Sequence, residues 1–366
     1  MENNELLEVC QGFGITSPIT SVDRMKAGHI NTAYLVGTED GKKYTVQRIN
    51  TYVFKNPDEL MENISSVTHF LRKRIKESGA DPERETLRFL KTVDGKSYLS
   101  LKNGSAWRVY VYMDNSFTVN ETENLEVVRS AGVAFGRFMR RLNSYPAKEL
   151  HETIADFHNT PKRYTDFLDS VEKNSVGRKG TCLDEIKFVT DRCEDMSVLM
   201  KLYEDGEIPT RVTHNDTKLN NVLFDKNTNE AFCVIDLDTV MPGISLYDFG
   251  DSMRSGASSA KEDETQLDKV YLNLELFKSY TQGYLSETYQ CLTKAEIEYL
   301  PFSVKLMTLE CGMRFLMDYL DGDTYFRTDY PEHNLVRARN QFKLVADTEN
   351  KLDDMKKIVG EIVASL

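Results

Sequence analysis

The most restrictive stretch of this chain lies between residues 212 and 238, where a dense polar run abuts two very short apolar ones. Thr213-His214-Asn215-Asp216-Thr217-Lys218-Leu219-Asn220-Asn221 leads straight into Val222-Leu223-Phe224, and a second run, Val234-Ile235, ends on Asp236-Leu237-Asp238. Apolar runs this short, bounded by turn-forming residues, predict brief strands rather than helical turns. Two such strands would bring Asp216, Asn221 and Asp236 to one edge. Taken singly, each of these residues reads better as a turn former or a helix cap. Taken together they are the set that phosphoryl transfer from a nucleotide needs. One carboxylate orients a hydroxyl and accepts its proton, while an amide and a second carboxylate serve as hard oxygen ligands for Mg²⁺.

The surrounding periodicity divides the chain into two parts. Ile30 to Val36 and Lys43 to Ile49 alternate as strands of a hairpin, with Gly37 to Gly41 as the turn. Asn56-Pro57-Asp58-Glu59 is a helix start, with proline in the first turn and carboxylates at the positive end, and the helix is expected to run to about Glu77. Ser97 to Leu101 and Ala106 to Met113 predict two more strands. Past Asp114 the texture turns helical: Val127, Ala131, Ala134, Phe135, Phe138 and Leu142 share one face. Further helices are expected over Asp184 to Tyr203, Leu267 to Tyr284, Lys294 to Tyr319 and Leu335 to Val363, interrupted by strand only between Arg211 and Ile235. The expectation is therefore an α+β chain with a β-rich lobe over residues 1–114 and a mainly helical lobe over residues 115–366.

His214-x-Asp216-x-Lys218-x-x-Asn221 followed by Ile235-Asp236-Leu237-Asp238 resembles the signature of the aminoglycoside phosphotransferase and choline kinase superfamily, which is protein-kinase-like. The resemblance implies a bilobal fold with an antiparallel sheet in the first lobe, ATP and Mg²⁺ as cofactors, Asp216 as catalytic base, and Asn221 and Asp236 as magnesium ligands. It gives Lys218 the role of stabilising transition-state charge and His214 the role of holding the loop. Asp248-Phe249-Gly250 spells the magnesium motif of protein kinases but lies farther past Asn221 than Asp236 does, so Asp248 is expected to brace the catalytic loop instead.

In the first lobe, Lys26-Ala27-Gly28-His29-Ile30-Asn31-Thr32 stands where kinase-like folds place a phosphate-covering turn, which makes Gly28 and Asn31 nucleotide candidates. No lysine occupies the strand position that holds phosphates in kinases. Arg48 is the expected substitute and Gln47 the alternative, and Glu59 and Glu62 are candidates for the paired helix carboxylate. Tyr112, Met113 and Asp114 close the last strand, where backbone is expected to meet adenine.

Longer blocks resemble the N-acetylhexosamine 1-kinases, among them Gly28 to Thr32, Ala106 to Tyr110, Arg211 to Asn221, Ile235 to Gly243, Glu310 to Phe315 and Tyr330 to Leu335. That resemblance implies an anomeric sugar hydroxyl as acceptor and places Arg314 and Tyr325, with His29 and Asp238, at the sugar. Read without it, Glu310, Arg314 and Asp318 at four-residue spacing suit a surface ion-pair ladder. The alternatives are a kinase of the same superfamily acting on choline, homoserine or an aminoglycoside, and a metal-dependent hydrolase.

Charge limits the partners. With 46 Lys+Arg against 58 Asp+Glu, a formal charge of -12 and no dense basic patch, neither nucleic acid nor an anionic membrane surface is expected to bind. No obligate protein partner is indicated. The six scattered cysteines without a C-x-x-C pair, the acidic start and the lack of a long apolar run suit a cytoplasmic protein with reduced thiols.

Overall fold

The computed structural model describes residues 2–25 and 30–366. It opens with helix α1 (Glu2–Gly12) and strand β1 (Ile19–Arg24), neither of which the apolar periodicity marks. The expected hairpin follows as β2 (Thr32–Thr38) and β3 (Lys43–Ile49), antiparallel with Tyr34 opposite Val46. Helix α2 (Pro57–Glu77) begins where Asn56 caps the backbone N–H of Glu59 and ends as expected. Beyond the short α3 (Pro82–Glu85) come β4 (Leu99–Ser100), β5 (Ala106–Val111) and β6 (Ser116–Phe117). The main sheet is antiparallel in the order β1-β2-β3-β5-β4.

The helical part runs through α4 (Leu125–Leu142), α5 (Thr160–Lys173), α6 (Leu183–Thr190) and α7 (Val198–Glu204). Strands β7 (Arg211–Thr213), β8 (Val222–Asp225), β9 (Ala231–Val234) and β10 (Met241–Gly243) follow. After them come α8 (Ser245–Gly256), α9 (Leu274–Thr288), α10 (Lys294–Glu298), α11 (Leu300–Leu320) and α12 (His333–Ser365). Three expected helices are shorter or broken. The one over residues 184–203 is split at Arg192, whose guanidinium turns back onto the Phe188 carbonyl and pairs with Glu349. Residues 267–273 are not α-helical, because α9 starts only at the Asn273 cap. The helix expected over 294–319 breaks at Tyr299, just before Pro301, which cannot donate to the preceding turn. Helices α5 and α8 are additions that the periodicity does not anticipate.

The chain divides into two compact units, Met1–Phe117 with Ser144–Ile154 and Leu223–Pro242, and Thr118–Asn143 with Ala155–Val222 and Gly243–Leu366. In the first unit, period-2 alternation turns Tyr34, Val36, Val46, Trp107 and Val109 toward Leu6 and Val9 of α1 and Phe13 just past it. On α2, Asn63 donates to the carbonyls of His151 and Val240 at 2.8 and 3.1 Å, so two later segments are held to this helix. Arg84 of α3 stacks over Phe232 and pairs with Asp225 at 2.5 Å, which anchors the β8–β9 hairpin.

In the second unit, α4 and α9 cross where glycines allow backbones to touch. A Cβ on Gly132 would meet the Tyr280 carbonyl oxygen at 2.3 Å, and one on Gly283 would meet that of Arg129 at 2.1 Å. The crossing matters because α4 also presents Phe135 and Phe138 edge-on to the His214 ring. Gly250 does the same service for α8, where a Cβ would lie 2.4 Å from the Ser303 carbonyl oxygen of α11. Among the described residues no helix is long and apolar enough to cross a membrane. All six cysteines are free.

Overpacking at such a crossing forces the helices apart. Gly283→Ala is expected to destabilise the protein by about 1–3 kcal/mol, read as a lowered urea midpoint with an unchanged slope; wild-type stability would show that the helices can separate at no cost.

Candidate functional site

The loop after β7 is a short irregular segment made rigid by hydrogen bonds. Asn215 takes a left-handed conformation, φ 63°, which Asn tolerates better than most residues. Asp248 of α8 accepts the backbone N–H groups of His214 and Asn215 at 2.8 and 2.7 Å, which is the bracing expected of it. Asp248 and Phe249 are helical, not part of a metal-binding turn, and Phe249 is fully buried against Phe277, Tyr280 and Tyr284. Asp251 accepts the N–H of Thr217 at 3.2 Å, and Ser252 donates to the Thr217 carbonyl at 2.9 Å.

These ties present three expected residues together. Lys218 Nζ lies 2.9 Å from Asp216 Oδ1, and Asn221 Nδ2 donates to Asp216 Oδ2 at 2.9 Å and to its carbonyl at 2.8 Å. Burial opposes ionisation of Asp216, but the charges of Lys218 and His214 and the Asn221 bond outweigh it and hold the carboxyl below the usual range. The Asp216 charge in turn raises Lys218. Asp216 is thus an ionised, partly exposed carboxylate with its orientation fixed, which a general base requires. Asn221 donates with its NH₂ and keeps its carbonyl oxygen as an acceptor.

Elsewhere in the same unit Arg314 and Tyr325 also come together. The Arg314 guanidinium stands 5.3, 5.9 and 5.6 Å from the rings of Phe157, Tyr325 and Phe326. Asp318 shapes this cage, accepting the N–H groups of Thr324 and Tyr325 at 2.8 Å and of Phe326 at 2.9 Å. Glu310 is buried with His158 and Thr160 as partners at 2.7 and 2.9 Å. The ion-pair ladder therefore does not form, since both flanking carboxylates are buried and otherwise engaged. His158, which no sequence pattern singles out, also approaches the Asn215 carbonyl at 3.3 Å. Arg163 Nε donates to the Phe157 carbonyl at 3.2 Å, and its pKa is lowered by burial and then by the charge of Arg314.

The first unit holds the remaining candidates. Asn31 Nδ2 donates to Asp238 Oδ2 at 2.5 Å, and Arg108 Nη1 meets Asp238 Oδ1 at 2.5 Å. Both oxygens of Asp238 already have protein partners. Asp236 follows β9 in a left-handed conformation, φ 59°. Arg48 lies directly across from Trp107, on the α1 face of the sheet, where its charge acts on Glu5. Gln47 lies across from Arg108, on the opposite face with Asp238. Neither Glu59 nor Glu62 meets that cation; Met61 does, with Sδ 3.9 Å from Nη1, while Glu62 pairs with His151. Tyr112 and Met113 continue from β5, and the exposed Asp114 pairs with Lys43 at 2.6 Å. Gly28 and His29 lie outside the described residues.

Arg108 is the residue that sequence reasoning passes over. A charge in mid-strand between Trp107 and Val109 is the available signal, since an interior strand position tolerates it only with a buried partner.

Residues 21–284 match the Phosphotransferase enzyme family. Solved structures of similar fold include a microcompartment-associated aminopropanol kinase, at TM-score 0.66 and 17% identity over 97% of this chain and 98% of that one. An amicoumacin kinase in complex with AMP-PNP, Ca²⁺ and Ami matches at TM-score 0.62 and 15% identity, over 93% of each chain. A choline kinase from Cryptosporidium parvum Iowa II matches at 0.60 and 14%, over 99% of each.

The depressed Asp216 gives a pH test. Its folded value lies below the unfolded aspartate value of about 3.9, so the Lys218 pair stabilises fully above that pH and the contribution is lost as pH falls through the folded value. Lys218→Met is expected to raise the Asp216 titration midpoint, followed by carboxyl-carbon NMR; an unmoved midpoint would remove Lys218 as the cause.

Proposed function

The chain belongs to the phosphotransferase enzyme family, and we propose that within it the protein is an ATP-dependent kinase of the anomeric hydroxyl of N-acetylhexosamines. The observation that carries the reading is the Asp216–Lys218–Asn221 constellation on a braced loop. Asp216, kept ionised by Lys218, orients the acceptor hydroxyl and takes its proton as the new O–P bond forms and the bond from phosphorus to ADP breaks. An anomeric hydroxyl is more acidic than an ordinary alcohol, which suits a base whose proton affinity is depressed. Lys218 supplies positive charge beside the reacting oxygen.

Asn221 and Asp236 are the proposed oxygen ligands of Mg²⁺. The donor set fits, because Mg²⁺ prefers hard oxygens and completes its shell with water and phosphate oxygens rather than with a protein cage. When bound, Mg²⁺ neutralises the phosphate oxygens.

For the acceptor, Arg314 in its ring of Phe157, Tyr325 and Phe326 offers planar donors to sugar oxygens and flat faces to a pyranose. Arg163 reaches the Phe157 carbonyl of the same ring set. A guanidinium at the proposed acceptor position repels a cationic amino alcohol or aminoglycoside, which supports a neutral, oxygen-rich acceptor with a carbonyl to bind.

Phosphorus NMR of reactions with N-acetylglucosamine, N-acetylgalactosamine, choline and an aminoglycoside tests this directly. The expected product is a sugar 1-phosphate, and turnover of the cationic acceptors alone would overturn the acceptor assignment. Asp216→Asn is expected to lower kcat by about 10²–10⁴-fold with nucleotide affinity retained. Arg314→Ala is expected to raise the sugar KM with the ATP KM unchanged; the reverse pattern would remove it from the acceptor site.

A further inference from the structure

A buried guanidinium in the middle of a sheet calls for a reason. Arg108 is 2% exposed, donates Nε and Nη2 to Gln47 Oε1 at 2.9 and 2.7 Å, and meets Asp238 with Nη1. Asp238, 4% exposed, accepts through its other oxygen from Asn31, whose own Oδ1 accepts the N–H of Asn50 at 2.9 Å. A buried ion pair is a poor source of stability, because desolvation offsets most of the attraction and a matched apolar pair often does as well. What it does supply is a fixed geometry for the segments it joins.

The segment joined here is the turn after β9. Asp236 enters it with φ 59°, a conformation that disfavours a residue with a side chain. Two residues later Asp238 is pinned by Arg108 and Asn31, and two further on the Val240 carbonyl is pinned by Asn63 of α2. These anchors hold the residues that follow the left-handed start. Arg48, the cation first expected to serve this site, lies on the other face of the sheet and cannot replace Arg108.

We propose that Arg108 is a positioning residue: through its buried pair with Asp238 it fixes the 236–240 turn and so the orientation of the Asp236 carboxylate toward a divalent cation. The inference rests on the reading of Asp236 as a metal ligand. Its measure is the metal increment, the ratio of nucleotide dissociation constants without and with Mg²⁺, obtained by calorimetry on the non-hydrolysable analogue AMP-PNP.

Removing only one member would strand a buried charge, so the test uses Arg108→Met/Asp238→Asn, in which the new amide oxygen at position 238 still accepts from Asn31. The double variant is expected to keep the wild-type melting temperature and metal-free affinity, while its metal increment falls about 10-fold or more, as when an outer-shell partner of a metal ligand is lost. A folded double variant with the wild-type increment would overturn the proposal. Arg108→Lys, which keeps a cation for Asp238, is expected to retain most of the increment. A loss there as large as in the double variant would overturn it too, since charge pairing would not be what matters. Asp236→Ala is expected to abolish the increment; if it does not, the metal-ligand reading itself falls, a result separate from failure of the Arg108 variants.

Discussion

The carboxylate of Asp248 holds the Asp216 loop of the second unit in place. Its two oxygens accept the consecutive N–H groups of His214 and Asn215 on either side of the left-handed turn at Asn215. Burial pushes the Asp248 carboxyl up, and the His214 charge and the two N–H bonds act against that. Losing the acceptor would leave two buried donors unsatisfied, at about 1–3 kcal/mol each. The position of Asp248 is in turn set by Gly250, which lets α8 lie against the backbone of α11. The loop that orients Asp216 is therefore an outcome of helix packing. The same helix adds Asp251 and Ser252 to the loop, and Ser252 is held by the buried hydroxyl of Tyr280 on α9 at 2.7 Å.

Helix α11 connects this loop to the proposed acceptor residues. His158 bridges the Asn215 carbonyl and Glu310, and Arg314 stands one turn beyond Glu310 on the same helix. Burial opposes the charge on Glu310, yet His158, Arg314 and Thr160 keep its carboxyl below the usual range. One buried carboxylate thus links the loop that bears Asp216 to the helix that bears Arg314. Two turns beyond Glu310, Asp318 folds the 324–326 segment back over Arg314. Under the proposed function, the spacing between base and acceptor residues runs through His158 and helix α11, and a fixed spacing is a condition for holding a hydroxyl in line.

Much of this is legible in the sequence because it is local. The Asn56-Pro57 start of α2, the β2–β3 hairpin and the apolar face of α4 are each written in a few neighbouring residues, and they fold as read. The Asp216, Lys218 and Asn221 grouping also depends on spacing within one loop. What the sequence misleads on depends on partners distant along the chain. Arg48 looks like the sheet's cation because of its position along β3, but alternation sends it to the α1 face, and strand parity becomes decisive only when the register with Trp107 is known. Arg108 and Asp238 are far apart in the chain, as are His158 and Glu310, so no pattern in the sequence could pair them. Helices break where a side chain or proline competes for backbone groups, at Arg192 and Pro301, which apolar periodicity does not register.

The charge distribution sharpens what a chain of net charge -12 can do with a polyanion. Its relevant cations are already engaged: Lys218 with Asp216, and Arg108 with Asp238. Arg48 acts on Glu5 instead. Among the described residues Lys218 and Arg108 are therefore parts of neutralised pairs, each holding a carboxylate in place. Under the proposed function, most of the neutralisation of a nucleotide's phosphates must then come with the divalent cation, and the protein's share is to orient the oxygens that receive it. Under that division of labour, the proposed part of the buried Arg108 is to hold a carboxylate in place rather than to meet a phosphate.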